Sequence, residues 1–488
     1  MPDPLVQARL EKLRAYREKG VDPYPARVPE VTQIGSVIER FASLETEERS
    51  ETRLSVAGRQ MAVRSMGKAS FLDLRDGTGK IQIHATADAL GAEEYASLGG
   101  TDIGDIISVH GEVFRTKRGE LTIAAEKWTL LSKSVRPLPE KWHGLKDVEV
   151  RYRHRSLDLI SNDEVRETFV KRSRILSAIR RALDEQGFLE VENPVLQAVA
   201  SGGHARPFMT HHNTLDADLY LRIALELHLK RLLVGGLDRV YEMGKCFRNE
   251  GVSTDHNPEF TMLELYQAYA DYEDMMKMAE RLVHAGLVAV GQSPEVTFKG
   301  HTIDLNTPWK RIGMIDAVAE ATGFDPDALR TEEAIGLAAS KGVDPAPLSA
   351  GEAIEMLFDR FVEPTLIQPT FITDYPIEIS PLAKRKPGHE GVVERFELFV
   401  GGIELANAFT ELNDPVDQRE RFEAQEKLRE QGNEETQPLD EDFLYAIEHG
   451  MPPAGGMGIG IDRLVMLLTE ATSIRDVILF PAMRRKVT

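Results

Sequence analysis

Two spacings of apolar residues divide this chain. Between Leu54 and Ser134, apolar and polar positions alternate in short runs: LSVAGRQMA, ASFLDLRD, KIQIHAT, IISVHGEVF, LTIAAE and KWTLLS. The turn signals DGTG and KRGE separate some of them, and a stretch at 88–98 reads as a helical link. Alternation places successive side chains on opposite faces of a strand, so five or six short strands at this spacing predict a small closed barrel of the OB type. Elsewhere the spacing is helical. Residues 4–19 read as a short amphipathic helix, ended by Pro23, Pro25 and Pro29. Val165, Phe169, Ile175, Ile179 and Leu183 mark a second helix over 164–186. Beyond it the βαβ rhythm of a parallel sheet is missing. Antiparallel pairs fit instead, 239–249 with 259–267 and 394–400 with 403–411, which predicts an α+β domain on an antiparallel sheet. A helical insertion is expected near 325–355. The resulting division is an N-terminal helical extension at 1–50, the barrel at 51–140 and the α+β domain at 141–488.

Composition changes this picture little. The 488 residues are 42% hydrophobic and 28% charged, as in an ordinary globular protein. No apolar run approaches the ~18 residues that span a bilayer. The first twenty residues are charged throughout, unlike a secretory signal. The single cysteine, Cys246, excludes an internal disulfide and a cysteine zinc cluster. A cytoplasmic protein without membrane contact is expected. The net charge of −20 argues against a nucleic-acid partner unless that partner meets a local surface. Much of the acidic excess lies in 413–442, which reads as exposed.

Several phosphate-site motifs are absent. No Walker A loop occurs, the glycines at 456, 458 and 460 do not fit the dinucleotide fingerprint, and there is no HExxH or GxSxG. Two hairpins carry the candidate chemistry. In the first, residues 241–272, Arg248 and Glu250 share a strand face, as do Phe260, Met262, Glu264 and Tyr266 on the return strand. One bidentate guanidinium, one stackable ring and carboxylates thus face a common side. In the second, residues 394–414, Gly401-Gly402 is a two-residue turn signal. Closing it pairs Val400 with Ile403, Phe399 with Glu404 and Glu397 with Ala406, which sets Glu397 and Glu404 on one face. Two like charges there call for a cation, and Mg²⁺ takes one or two carboxylates together with phosphate oxygens. Asn407 and Glu411 have the opposite parity to Glu404, so both sets serve one pocket only if a bulge or strong twist falls between 404 and 407.

These stretches resemble the class II lysyl-tRNA synthetases of the bacterial type along nearly the whole chain. FRNEG with HNPEFTMLE is similar to motif 2, VKRSRILSAIRRALDEQGFLEVENPVLQ (170–197) to motif 1, and GMGIGIDRLVMLL (456–468) to motif 3. The resemblance implies that Arg248 and Arg463 are catalytic, that ATP is held by Arg248, Glu250, His256, Asn257, Phe260 and Arg463, and that adenine stacks between Phe260 and Arg463. It implies lysine binding by Gly203, Glu226, Glu264, Tyr266, Asn407 and Glu411, with Glu411 and Tyr266 clasping the ε-ammonium group. Glu397 and Glu404 would hold Mg²⁺, more than one ion with ATP. In the barrel, Arg59, Phe71 and Gln82 would read the anticodon of tRNA(Lys). Motif 1 implies a homodimer. Asp255 departs from the family, which often has arginine there for the γ-phosphate, and Leu225 stands where proline is common. Three rivals share parts of this pattern: an enzyme that lysylates a translation factor, which lacks the barrel; an aspartyl or asparaginyl synthetase; and a non-catalytic paralogue.

Overall fold

The computed structural model describes residues 3–28, 30–139, 145–199, 202–203, 205–343, 349–430 and 438–484. They fall into two compact units, Met1–Gly144 and Leu145–Thr488.

The first unit is a closed barrel of five strands: β1 (Arg49–Met66), β2 (Ala69–Arg75), β3 (Lys80–Thr86), β4 (Ile106–Arg115) and β5 (Leu121–Ser132), in the order β1-β2-β3-β5-β4. LTIAAE and KWTLLS are one strand, because β5 stays paired with β4 past a bulge at His110/Gly111. Alternation decides what fills the barrel: Leu72 and Leu74 of β2 and Ile81 and Ile83 of β3 point inward, while Phe71, Gln82 and His84 stay half-exposed. Helices α1 (Pro4–Glu18) and α2 (Ile34–Arg40) belong to this unit's core, to which Tyr16, Ile34, Val37 and Phe41 contribute. Lys133 is the unit's buried cation. Its Nζ donates to Asp102 Oδ2 at 2.6 Å and to both oxygens of Asp105 at 3.0 Å.

The second unit is built on an eight-stranded sheet. Its strands are β6 (Leu189–Glu190), β7 (Arg239–Phe247), β8 (Glu259–Ala268), β9 (Lys310–Gly313), β10 (Thr370–Pro376), β11 (Val392–Val400), β12 (Ile403–Thr410) and β13 (Ala454–Gly460). The order is β9-β10-β11-β12-β13-β8-β7-β6. Pairing is antiparallel except at the edges, where β9 runs parallel to β10 and β6 to β7. Leu263, Leu265, Met457, Ile459, Leu398 and Ala408 point to one face. There they pack on the helices α3 (Asp163–Asp184), α5 (Tyr272–Val290) and α6 (Ile461–Thr469) through residues such as Ile175, Met275 and Leu464. The other face is left for chemistry. Helices at Met314–Thr322, Pro326–Leu329, Glu333–Ser340 and Ala350–Phe361 form an insertion with its own apolar core, around 344–348, which lie outside the described residues. The acidic stretch expected to be exposed is in part a helix, Pro415–Glu430, that buries Phe422. Its Arg421 donates to the Ser380 and Ala383 carbonyls at 3.1 and 2.7 Å. Glu420, Glu423 and Glu426 of this helix face water while its Arg421 side clamps the 380–383 loop.

Removing Lys133 would leave Asp105 buried beside a second acid, and breaking a buried pair typically costs about 3–5 kcal/mol. Lys133→Met is therefore expected to lower the stability of the barrel unit by about that much in denaturant unfolding of the full chain. A loss below about 1 kcal/mol would mean that the carboxylates find other partners.

Candidate active site

The open face of the sheet has a floor of glycine. On β13, Met457 and Ile459 point into the core, so Gly456, Gly458 and Gly460 point out. A Cβ at Gly456 would collide with Glu411 Oε1 and the Tyr266 ring. At Gly458 it would press on Met262 Cε at 3.3 Å, and at Gly460 it would touch Arg463. The floor therefore runs from one cluster of predicted site residues to the other, and its missing side chains are the space the site occupies.

At the Gly460 end, Arg248, Glu250, Asp255, His256, Asn257, Phe260, Glu404 and Arg463 line one cavity. Arg248 follows β7, its backbone N–H bonded to the Pro258 carbonyl at 2.9 Å, and its guanidinium lies 5.2 Å from the centre of the Phe260 ring. Its buried Nε has no hydrogen-bond partner among the described residues. Arg463 donates to the Glu404 carbonyl at 2.7 Å and reaches His256 Nε2 at 3.2 Å. Because arginine only donates, Nε2 accepts and Nδ1–H faces Ser253 Oγ at 2.9 Å. Burial, and then Arg463, holds the imidazole below its usual pKa, so His256 is neutral. Asn257 lines the wall but spends its amide on the protein: Nδ2 donates to the Glu259 carbonyl at 2.5 Å, and Oδ1 accepts from Ala482 N at 3.1 Å. Asp255, the family departure, pairs with Lys299 at 2.9 Å, so the fold returns a cation to the place where the acid stands.

The two hairpin acids meet, but not in the expected register. Phe399 faces Glu404, and then the ladder slips: Leu398 faces Ala406, and Glu397 faces Asn407 instead of Ala406. Leu405 and Ala406 both point to the core, so this bulge restores parity and puts Glu404, Asn407 and Phe409 on the open face. The sequence pattern alone had left that step open. Glu397 Oε1 takes Arg395 NH2 at 2.7 Å and Asn407 Nδ2 at 3.4 Å. Burial pushes its carboxyl up to about 7, against the pull of Arg395 and with a push from Glu404. Two neighbouring acids, one of them raised by burial, are what a divalent cation would relieve, so the pair fits a Mg²⁺ site completed by phosphate oxygens.

At the Gly456 end, Gly203, Glu226, Asn407, Arg395, Phe409 and Ala383 line a smaller cavity. Beneath it are Glu264, Tyr266 and Glu411. Tyr266 donates to Glu264 Oε2 at 3.2 Å, and the Leu225 N–H bonds Glu264 Oε1 at 3.0 Å. Burial, reinforced by Glu226, pushes Glu264 up to about 7, and burial holds Glu411 well above the usual carboxylate range. Glu411 and the Tyr266 ring both border the Gly456 floor. Glu411 is paired with Lys230, a residue that sequence reasoning missed. The signal was there: Lys230 is the lysine four residues after Glu226, amid Leu227, Leu229 and Leu233 on the helix α4 (Glu226–Val234). Arg395 and Asp462 were also missed. Asp462 takes the Thr261 N–H at 2.7 Å and pairs with Arg172 at 2.7 Å, tying α3, β8 and α6 together behind the cavity.

In the barrel unit, Phe71 lies outside the core and stacks on His84, with ring centres 4.7 Å apart. Gln82 stands opposite Asp73 on the same outer face and accepts from Thr122 Oγ1 at 3.2 Å. Arg59 points outward beside Arg75 and donates to the Gly104 carbonyl at 2.8 Å.

Comparison with known proteins points the same way. Residues 147–484 match the family model described as tRNA synthetases class II (D, K and N), and 54–131 match an OB-fold nucleic acid binding domain. The lysine–tRNA ligase of Moorella thermoacetica is 56% identical over 485 residues, covering 99% of this chain and 98% of that protein. Those of Enterococcus faecalis and Bacillus subtilis are 54% and 53% identical, over 98% and 99% of this chain and 96% and 97% of their own.

Gly456→Ala forces Glu411 and Tyr266 aside, and overpacking of this kind costs about 1–3 kcal/mol. A matching fall in the denaturation midpoint is expected. Gly336→Ala, where a helical Cβ meets nothing within 4 Å, is expected to be stabilising by up to about 1 kcal/mol. Equal effects at both positions would remove the floor from the account.

Proposed function

Because the chain belongs to the class II tRNA synthetases of the D, K and N group, we propose that it joins lysine to tRNA with ATP. The buried acids Glu226, Glu264 and Glu411 at the closed end of the glycine floor carry this reading. Of the three amino acids in the group's name, aspartate would bring a further carboxylate against them, and asparagine would bring no side-chain cation to them. Only lysine brings a second ammonium group, on its side chain, for the buried acids to hold, and a desolvated carboxylate without a partner costs several kcal/mol. The relatives described above are named for the same amino acid.

In this reading ATP lies in the Arg248–Arg463 cavity, its adenine stacked on Phe260 with Arg463 across the ring. Glu250 and neutral His256 meet the adenine edge or the phosphates, while Asn257 shapes the wall. The lysine carboxylate attacks the α-phosphorus in line and pyrophosphate leaves, giving lysyl-adenylate. The terminal 3′-hydroxyl of tRNA then attacks the activated carbonyl and AMP leaves. Arg248 holds the α-phosphate and the lysine carboxylate together; Glu226 and Asn407 orient the α-amino end beside Gly203. Tyr266 and Glu264 support Glu411 at the ε-ammonium. Catalysis is positioning plus charge neutralisation, with no protein nucleophile. Glu397 and Glu404 are the residues that would hold Mg²⁺, which when bound neutralises phosphate charge. On the barrel, Phe71 stacks on an anticodon base, Gln82 reads its edge and Arg59 adds charge. A homodimer through 170–197 is supported by exposed Val170, Leu189, Val195 and Leu196 in and beside that segment.

ATP–pyrophosphate exchange with each of the twenty amino acids tests the reading. Lysine alone should drive it, and Arg248→Ala should abolish it; exchange driven best by aspartate or asparagine would refute it. Phe71→Ala is expected to leave exchange unchanged while weakening tRNA charging, as loss of a stacked base costs about 1–3 kcal/mol. Normal charging would leave Phe71 without a role in tRNA binding.

A further inference from the structure

Three carboxylates and one ammonium group are buried together where the amino-acid cavity closes. Glu226 and Lys230 stand one turn apart on α4, Glu264 rises from β8, and Glu411 follows β12. The Lys230 side chain is fully buried. Its Nζ lies 2.5 Å from Glu226 Oε1, meets Glu411 Oε2, and sits 5.1 Å from the centre of the Phe409 ring. One ammonium group is thus shared by the two acids that the proposed reaction assigns to the two nitrogens of the substrate. Glu411 Oε1 is different: it is buried, lies against the Gly456 floor and has no hydrogen-bond partner among the described residues.

Charge gives Lys230 a purpose. If all three acids are ionised when two ammonium groups are bound, Lys230 leaves a deficit of two. The neighbouring Arg222–Glu242 pair, joined at 2.6 Å, adds nothing net. Burial holds the protons on Tyr266 and Cys246, and Arg248 belongs to the anionic end of the substrates. Lysine carries two ammonium groups, so the deficit matches it. A bare triad would carry one charge too many, and a buried acid in excess takes up a proton and stops accepting from an ammonium.

Resting on the lysine reading above, we propose that Lys230 is a specificity-determining positioning residue. It is a built-in counter-ion that trims the triad to the charge of lysine and draws Glu226 and Glu411 onto one nitrogen, leaving their other oxygens for the α- and ε-ammonium groups.

Lys230→Met keeps the length of the side chain and removes the charge. The triad then holds an extra proton that lysine must expel on binding. In lysine-dependent exchange at pH 7, the KM for lysine is expected to rise about ten-fold or more, while the KM for ATP and kcat at saturating lysine change less than about two-fold. The sign in pH follows from the extra proton: the penalty shrinks as pH rises from about 6.5 to about 8.5, because the excess acid ionises unaided. Lys230→Gln, which can donate a hydrogen bond but carries no charge, should show the same penalty and is read if the methionine variant does not fold. A pH-independent loss that raises both KM values would make Lys230 a scaffold residue and overturn the proposal. So would an unchanged lysine KM in either folded variant, or failure of both to fold. If the unmodified protein does not exchange with lysine, the functional reading itself is wrong, a result distinct from any behaviour of the variants.

Discussion

A carboxylate taken out of water must find a cation, and this constraint organises the site from end to end. Glu397 leans on Arg395, Glu404 on Arg463, Glu226 and Glu411 on Lys230, and Glu242 on Arg222. Each pair fixes a side chain where a ligand would need it and keeps a concentration of negative charge compatible with a folded domain. Burial still holds Glu264 and Glu397 up at about 7 and Glu411 well above the usual carboxylate range, and these acids stand where the substrate ammonium and a divalent cation are proposed to arrive. Pairing by the protein and pairing by the ligand are two parts of one electrostatic balance.

The sheet supplies the geometry in which this balance can be struck. Strand alternation sends leucines to the helices beneath and Phe260, Met262, Glu264 and Tyr266 upward from a single strand. Three alternate glycines on β13 hold the neighbouring strip empty. The bulge at Leu405 then corrects a parity that would have turned Asn407 and Glu411 away from Glu404. With these devices, a face two to three strands wide carries an arginine-and-aromatic end, the proposed seat of the nucleotide, and an acidic end, the proposed seat of the amino acid, with Gly458 between them.

The acidic chain also shows how little net charge says about a partner. The −20 total is spread over helices such as Pro415–Glu430, whose Glu420, Glu423 and Glu426 face solvent while Arg421 and Phe422 clamp the loop by the smaller cavity. In the barrel, Phe71 and His84 expose a stacked pair beside Gln82, the surface proposed to hold a single-stranded base by ring contact.

Much of this was legible in the residues. Alternation over 54–134 specified the barrel, and the Gly401-Gly402 turn specified the second hairpin. Phe260, Met262 and Glu264 were placed correctly on one face of β8 because the period of a strand is two and needs no tertiary information, whereas Arg248 and Glu250, read as strand residues, lie just past the end of β7. Tertiary structure decided what periodicity cannot encode. Whether a ladder slips by one residue at Leu405 depends on how β11 and β12 twist over the helices. Which acid meets which cation depends on contacts between residues as distant in sequence as Lys230 and Glu411. Sequence fixes the chemistry of each side chain and its face within an element; only the packing of those elements fixes its neighbours, and at a buried charged site the neighbours determine its protonation and its function.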